Sequence, residues 1–228
     1  MVVVFIVFKP QIYRFAAPLI QTIKGQHTVN DRLVEFGDQA RDILQAEYKK
    51  AGVMYPGQQI ILLAVKDTET LQLFAAETTG HYRFISQYPI LAMSGRLGPK
   101  LLEGDLQVPE GIYTIRSLNP NSQFLVSLEL DYPNEFDKSM AKLDGRKRLG
   151  GDIFIHGSNK SVGCLAMGDD VATLLFTLAA DVGLDNVEVV ISPHVYEDLG
   201  TPIAGMPEWT GNLYSELKSR LAELRQQR

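Results

Sequence analysis

The segment IFIHGSNKSVGCLAM, residues 153–167, contains the only cysteine of the 228-residue chain, Cys164, and places His156 eight positions before it. A cysteine thiolate is a strong nucleophile, and an imidazole within hydrogen-bond reach activates the thiol as a general base. Glycines stand beside both groups, since Gly157 follows the histidine and Gly163 precedes the cysteine. If the intervening loop folds back so that thiol and imidazole meet, the segment predicts a site for acyl transfer.

The residue types predict a role for each member of this group. No acidic residue adjoins His156, so the carbonyl of Gly157 is the simplest group to orient the imidazole. The amides of Gly163 and Cys164 are expected to receive the oxyanion of a tetrahedral intermediate. We expect Cys164 to lie just before a helix, where backbone amides and the imidazole lower the thiol pKa. A second interpretation stays open, because a lone cysteine among apolar neighbours is often a buried side chain without chemistry.

The flanking sequence predicts the elements that position the segment. Residues 152–156 read as a strand, 157–163 as a loop, and a buried helix begins near Asp169. Strands are predicted in IILLAVK, LQLFAAE, YRFISQYPILAMSG, GIYTIRSL, FLVSLEL and NVEVVIS, the first two forming a hairpin. An amphipathic helix is predicted from Thr28 to Gly52, and another in LYSELKSRLAELRQQR. Strands joined by tight turns indicate an antiparallel sheet in an α+β domain.

The predicted elements divide the chain into an N-terminal helical attachment, residues 1–57, and a catalytic domain, residues 58–228. The initial run MVVVFIVF is far shorter than the roughly 20 apolar residues that cross a bilayer. It also lacks the basic residues that begin a secretory signal. Two interpretations fit the run: a buried strand, or the remnant of an export signal.

Composition excludes several classes of function. A net charge of -5 and a longest basic cluster of only Arg146-Lys147-Arg148 argue against nucleic-acid binding. One cysteine excludes an internal disulfide and a zinc site built on several thiolates. His81 and His194 stand in predicted turns without grouped partners, so we predict no metal and no cofactor. Composition leaves the oligomeric state and the compartment open.

Three segments carry a resemblance to a known family. HGSNKSVGC, residues 156–164, resembles the His-Gly…Ser-x-Gly-Cys signature of the L,D-transpeptidase catalytic domain, or YkuD domain, family. SGRLGPKLLEGDLQVPEGIYTI (94–115) and LNPNSQFLVSLELDYPNEFDK (118–138) are similar to segments of its YafK-like branch. Their order is preserved, and the short gap between histidine and cysteine also fits this branch.

The resemblance implies a mainly antiparallel β catalytic domain of L,D-transpeptidase type, with an N-terminal helix, a helix after the cysteine and a C-terminal helix. It implies that Cys164 attacks a stem-peptide carbonyl at the L-centre of the diamino acid and forms a thioester, with His156 as base. Gly157 would orient the imidazole, and Gly163 would be an oxyanion donor. The expected partners are peptidoglycan peptides and a wall-linked protein or peptide, in the periplasm or cell envelope.

Four residues are predicted to contact substrate. Ser161 matches the signature serine, and Tyr132 and Asn134 lie in the matching Tyr-Pro-Asn segment. Leu165-Ala166 stands where many members have Ile-Arg, so Arg146 is a candidate to bind a substrate carboxylate instead. Each also has a structural interpretation: a loop-capping hydroxyl, a turn, and a solvated charged cluster.

Rival functions stay open at this stage. The missing arginine after the cysteine suits a non-catalytic wall-binding module with the same fold. If the protein is cytoplasmic, the same site would act on another peptide or amine. Between joining peptides and cutting them, the YafK-like resemblance favours hydrolysis.

Overall fold

The computed structural model describes residues 26–195, 199, 203 and 205–225. The apolar run at residues 1–8, with its two interpretations, lies outside these residues. The helices are α1 (Val29–Arg32), a π-helical turn (Leu33–Gly37), α2 (Asp38–Ala51), α3 (Glu135–Leu143), α4 (Asp169–Val182), a 3-10 turn (Leu184–Asn186) and α5 (Thr210–Arg225). The strands are β1 (Gln59–Val65), β2 (Thr70–Ala76), β3 (Tyr82–Pro89), β4 (Gly111–Ser122), β5 (Leu125–Leu130), β6 (Phe154–His156), β7 (Leu165–Ala166) and β8 (Val187–Ser192).

The eight described strands form one sheet in the order β3-β2-β1-β8-β4-β5-β6-β7. Most neighbours are antiparallel, which confirms the predicted α+β class. The pairs β1–β8 and β6–β7 are parallel. Neither parallel pair was predicted, because tight turns report only on strands adjacent in sequence, whereas a parallel pair needs a crossover connection.

The N-terminal helix begins and ends where its caps predict. Thr28 and Asp31 form a reciprocal capping box, with each side chain accepting from the other's backbone amide. Gly52 ends α2 in the left-handed conformation, φ 69°. Arg41 on α2 pairs with Asp181 on α4 at 2.8 Å. The helix therefore rests on the same core as the sheet, and the division at residue 57 stays a prediction.

Both faces of the central sheet are covered, which explains the continuous apolar sequence of β1. Alternate residues point to opposite faces of a strand. Leu62 and Ala64 join the larger core, beneath α2 and α4. Ile61, Leu63 and Val65 instead pack against the buried stripe of α5. The predicted C-terminal helix is confirmed, and it closes the second face of the sheet.

Two elements around the chemical segment differ from expectation. Helix α3 was not predicted; Asn134 caps it and Asp137 completes the capping box. Strand β7 lies between Cys164 and α4, so the expectation that the cysteine directly precedes a helix is wrong. Among the described helices, none is both long and apolar enough to span a membrane.

Candidate active site

The site is built on one transverse row of the sheet. Ser127 on β5 pairs with Asn119 on β4 and with His156 on β6. His156 in turn pairs with Ala166 on the parallel strand β7. Directly paired residues share a face of the sheet. The row therefore sets an amide, a hydroxyl and an imidazole side by side.

Strand alternation aims this row away from the larger core. Val126 and Leu128 flank Ser127 and are fully buried in that core, as is Ile155 before His156. The side chains of Ser127 and His156 consequently point to the opposite face. There they line a pocket of about 610 Å³ whose wall also contains Cys164.

His156 is held in one orientation and one tautomer. Its Nδ1 lies 2.6 Å from the carbonyl oxygen of Gly157, and Phe124 stacks on the ring at 4.5 Å. A carbonyl oxygen only accepts, so Nδ1 carries the proton and Nε2 of the neutral ring is left as a base. Burial lowers the pKa of His156 and so favours this neutral form. The hydrogen bond to Gly157 opposes the shift without reversing it.

Only glycine fits at position 157, between the imidazole and helix α4. A Cβ built there would lie 2.3 Å from Asp169 Oδ1 and 2.6 Å from the backbone oxygen of Phe124. Asp169 Oδ1 is itself fixed, because it accepts from the amide of Ser158 at 2.8 Å. The absence of a side chain at residue 157 thus lets its carbonyl reach the imidazole.

Cys164 faces the same pocket but is not bonded to the imidazole. Ala166 pairs with His156 on the neighbouring strand, and Cys164 lies two residues before Ala166. Strand spacing and rise per residue then put the Cα atoms of Cys164 and His156 about 8 Å apart. Within the described residues, the thiol has its hydrogen bond to the carbonyl oxygen of Asp152, at 3.6 Å. Direct contact between sulfur and imidazole therefore needs movement of the side chains.

The thiol pKa is shifted in the direction opposite to our prediction. Burial raises the pKa of Cys164, and the charge of Asp152 raises it further. A backbone contact with Phe154 and the charge of Lys100 oppose the shift without reversing it. The prediction is wrong because the cysteine lies before a short strand rather than at a helix N-terminus. The resting thiol is therefore protonated near neutral pH.

Both amides expected to receive an oxyanion are engaged. Gly163 N donates to Ser94 Oγ at 2.6 Å, and Cys164 N donates to Ser161 Oγ at 2.9 Å. The Ser161 hydroxyl also donates to the carbonyl of Cys164 at 2.5 Å, so it ties both ends of the cysteine turn. Gly163 adopts φ 99°, a left-handed conformation that a side chain would strain.

Three predicted substrate contacts lie elsewhere, because their side chains serve the fold. The ring of Tyr132 is 1% exposed, and its hydroxyl donates to Leu149 O. Asn134 caps α3. Arg146 pairs with Asp144 and lies over the indole of Trp209. Of the four predicted substrate contacts, the pocket contains only Ser161.

The pocket wall also contains residues that were not predicted, among them Ser127, Asp152 and Lys160. Lys160 lies inside the HGSNKSVGC string, so its place between base and nucleophile was a usable signal. Asp152 was predicted as the first residue of a strand, but the observed strand begins at Phe154, and Asp152 has a positive φ of 56° and accepts from the thiol through its carbonyl oxygen. Ser127 gave no local signal, because its neighbour His156 is distant in sequence.

No metal site accompanies these groups in the described part of the chain, where His, Cys, Asp and Glu form no cluster of three or more. His194 lies far along the sheet and pairs with Asp67 at 2.8 Å. His81 lines a separate pocket with Glu77 and Arg83.

Comparison with known proteins gives one family and several relatives. The model of the YkuD L,D-transpeptidase catalytic domain matches residues 61–203. The chain is 31% identical over 152 residues to "Putative L,D-transpeptidase YafK" of Escherichia coli strain K12. That match covers 64% of this chain and 58% of the relative, so the chain spans less than two thirds of the relative's length.

Two solved structures are similar at lower identity. A variant of the helical cell shape determining protein Pgp2 from Campylobacter jejuni is 24% identical, with a TM-score of 0.48 over 68% of this chain and 55% of that one. Bd1075 of Bdellovibrio bacteriovorus is 22% identical, with a TM-score of 0.44 over 73% of this chain and 56% of that one.

Proposed function

The chain belongs to the L,D-transpeptidase catalytic domain family, and on that premise we propose that it is a cysteine acyl-transfer enzyme acting on peptidoglycan stem peptides. The observation that carries the proposal is the shared pocket, in which Cys164 lies on the same wall as an imidazole whose Nε2 is the basic nitrogen. The bond attacked is the amide at the L-centre of the stem-peptide diamino acid.

The first half-reaction starts from a neutral pair. His156 Nε2 takes the thiol proton as the Cys164 sulfur attacks the carbonyl carbon, and the C=O π pair moves to oxygen. Collapse restores the carbonyl and breaks the C–N bond, and the leaving amine takes the proton from His156. A thioester on Cys164 and a released amine result. The raised thiol pKa supports this proton transfer during attack over a standing thiolate–imidazolium pair.

The second half-reaction uses the same base in reverse. An incoming amine or water attacks the thioester and gives its proton to His156 Nε2. The sulfur then leaves, takes that proton back and becomes the thiol again. An amine acceptor, for instance on a wall-linked protein or peptide, yields a transpeptidation product, and water yields a hydrolysed stem peptide.

Charged groups on the pocket wall suit a diamino acid. Lys160 is exposed and cationic, while Asp152 is exposed and anionic beside the thiol. A diamino acid that keeps a distal ammonium and carboxylate carries both complementary charges. We assign carboxylate binding to Lys160, because the Arg146 guanidinium is committed to Asp144. A substrate in the cell wall also leads us to propose a periplasmic or envelope location, which cell fractionation tests.

Muropeptides incubated with purified protein test the proposal. We expect cross-linked or trimmed peptides by mass spectrometry from the wild type and none from Cys164→Ala. Ser219→Ala, an exposed change on α5, is the matched control and should behave as wild type. If wild type and Cys164→Ala give the same product profile, the enzyme assignment fails.

A non-catalytic wall-binding module is the second candidate. It is favoured by the protonated resting thiol, by the engaged amides and by the absence of a thiol–imidazole hydrogen bond among the described residues. Sedimentation with purified peptidoglycan separates the two. A binding module co-sediments and leaves the muropeptide profile unchanged, whereas the proposed enzyme changes that profile.

A further inference from the structure

Ser127 presents a hydroxyl at the pocket that neither the fold nor the mechanism above uses. The residue is 2% exposed and lines the pocket with Cys164 and His156. Among the described residues, its side chain has no hydrogen-bond partner. In the described part of the chain, the fully buried side-chain polar atoms without a partner are Tyr48 Oη and Thr177 Oγ1, so the Ser127 hydroxyl is open to the pocket. A hydroxyl that is open to the pocket and not bonded to the protein is free to donate a hydrogen bond to a bound substrate.

The position of Ser127 follows from the register of β5. Ser127 pairs directly with His156, and paired Cα atoms on antiparallel strands lie roughly 4.5–5.5 Å apart. Its neighbours Val126 and Leu128 are fixed in the core, so the strand cannot rotate the hydroxyl away without exposing them. The register thus keeps the Ser127 side chain beside the base.

The main-chain alternative is occupied. Gly163 N is bonded to Ser94 Oγ, which donates in turn to Leu106 O, and neither Gly163 nor Ser94 lines the pocket of Cys164. Segment 94–98 is anchored behind it. Gly98 accepts from Lys66 Nζ at 2.9 Å, and its amide donates to Glu110 at 2.6 Å. The Gly163 amide is therefore held toward the back of the cysteine turn.

We propose that Ser127 is a catalytic residue that donates its hydroxyl hydrogen bond to the substrate oxygen as that oxygen becomes negative. As sulfur adds to the carbonyl carbon, the C=O π pair moves to oxygen. Ser127 keeps its proton and only hydrogen-bonds the new charge. A hydrogen bond to a charged oxygen is stronger than one to a neutral carbonyl, so the contribution is greatest in the transition state. The inference rests on the proposed acyl transfer, but not on peptidoglycan as substrate.

Two reagents that modify Cys164 separate this role from others. p-Nitrophenyl acetate transfers its acetyl group to sulfur through a tetrahedral oxyanion, and p-nitrophenol leaves with the thiol proton. Iodoacetamide alkylates the same sulfur by displacing iodide, with no oxyanion. For Ser127→Ala we expect acetylation about 100-fold slower, the usual effect of removing one oxyanion donor. Alkylation should stay within about twofold of wild type, because no oxyanion forms in that reaction.

Ser127→Thr keeps the hydroxyl and suits a strand, so it should recover acetylation to within about tenfold of wild type. Ser219→Ala serves as the serine-to-alanine control. Thermal unfolding of Ser127→Ala and Ser127→Thr should match the wild type, because the Ser127 hydroxyl has no hydrogen-bond partner among the described residues. Ser219→Ala gives up one exposed hydrogen bond to Ser215 O, so its Tm should also stay close to wild type. With muropeptides, Ser127→Ala should lower kcat and leave KM nearly unchanged.

The outcomes distinguish this inference from the proposed function. Equal losses in acetylation and alkylation would overturn it, since they indicate damage to the thiol or its base. Unchanged acetylation in Ser127→Ala would also overturn it. If wild-type Cys164 is not acetylated, both the inference and the acyl-transfer mechanism fail. If acetylation depends on Ser127 but muropeptides are not converted, the inference holds and only the assignment of peptidoglycan as substrate fails.

Discussion

Replacing Gly157 with alanine should lower both the thermal stability of the protein and the reactivity of Cys164. The added Cβ would lie 2.3 Å from Asp169 Oδ1 and 2.6 Å from Phe124 O, distances at which atoms must move. Phe124 O belongs to the backbone, and Asp169 is tied to the Ser158 amide. Neither neighbour is the loose end of a long side chain, so the backbone of residue 157 has to give way.

The size of the effect follows from overpacking. Extra methyl groups forced into a packed site cost about 1–3 kcal/mol. A chain of this length loses roughly 2–4 °C in Tm per kcal/mol, so we expect Gly157→Ala to melt about 2–12 °C below wild type. Displacement of the Gly157 carbonyl also removes the 2.6 Å contact that orients His156, so acetylation of Cys164 should fall at least tenfold.

Gly151→Ala is the matched control, because no heavy atom lies within 4 Å of a Cβ built there. Its Tm should stay within about 1 °C of wild type, and its acetylation rate should not change. Differential scanning calorimetry and the p-nitrophenyl acetate assay give the two readouts. The reasoning is refuted if Gly157→Ala and Gly151→Ala are indistinguishable in both.

Three further outcomes are expected. Because burial raises the pKa of Cys164, the thiol should be mostly protonated at pH 7, and iodoacetamide alkylation should climb steadily from pH 7 to 8.5; a rate independent of pH from 6 to 7 contradicts this. Burial raises the pKa of Asp137 from 3.8 to about 6, so the native state holds the extra proton between these values and stability falls as pH rises through that window. The free energy of unfolding of Asp137→Asn minus that of wild type, measured by urea titration, should therefore be about 1–3 kcal/mol larger at pH 7 than at pH 4. The same difference at both pH values would contradict this prediction. Lys160→Met should reduce the preference for stem peptides with a free distal carboxylate roughly two- to fivefold, as for an exposed ion pair, measured by competing them against lysine-containing peptides.

The fold class and most elements could be predicted because their signals are local. The Thr28–Asp31 capping box, the Gly52 stop and the acidic start of α4 are read within one turn of helix. The pairing of β1 with β8 carries no comparable signal, since their partners are more than 120 residues apart. Helix α3 was missed because a capping box at Asn134 also reads as a turn when a proline precedes it.

The site divides in the same way. A short signature contains His156, Gly157 and Cys164. The structure places His156 and Cys164 at one pocket and shows the expected hydrogen bond between the imidazole and the Gly157 carbonyl. Their electrostatics could not be predicted, because the thiol pKa depends on burial and on Asp152 rather than on sequence spacing. Ser127 was missed for a related reason: only the register of β5 against β6 brings it beside the base.

The Cys164 thioester with His156 as base is the central claim, and trapping that thioester tests it most directly. Wild-type protein is quenched in acid during turnover of a muropeptide and digested, and the peptide containing residue 164 is weighed. We predict a mass increase equal to the acyl part of the stem peptide on Cys164, with slower accumulation in His156→Gln. An unmodified Cys164 during active turnover, or the acyl group on another residue, would contradict the account.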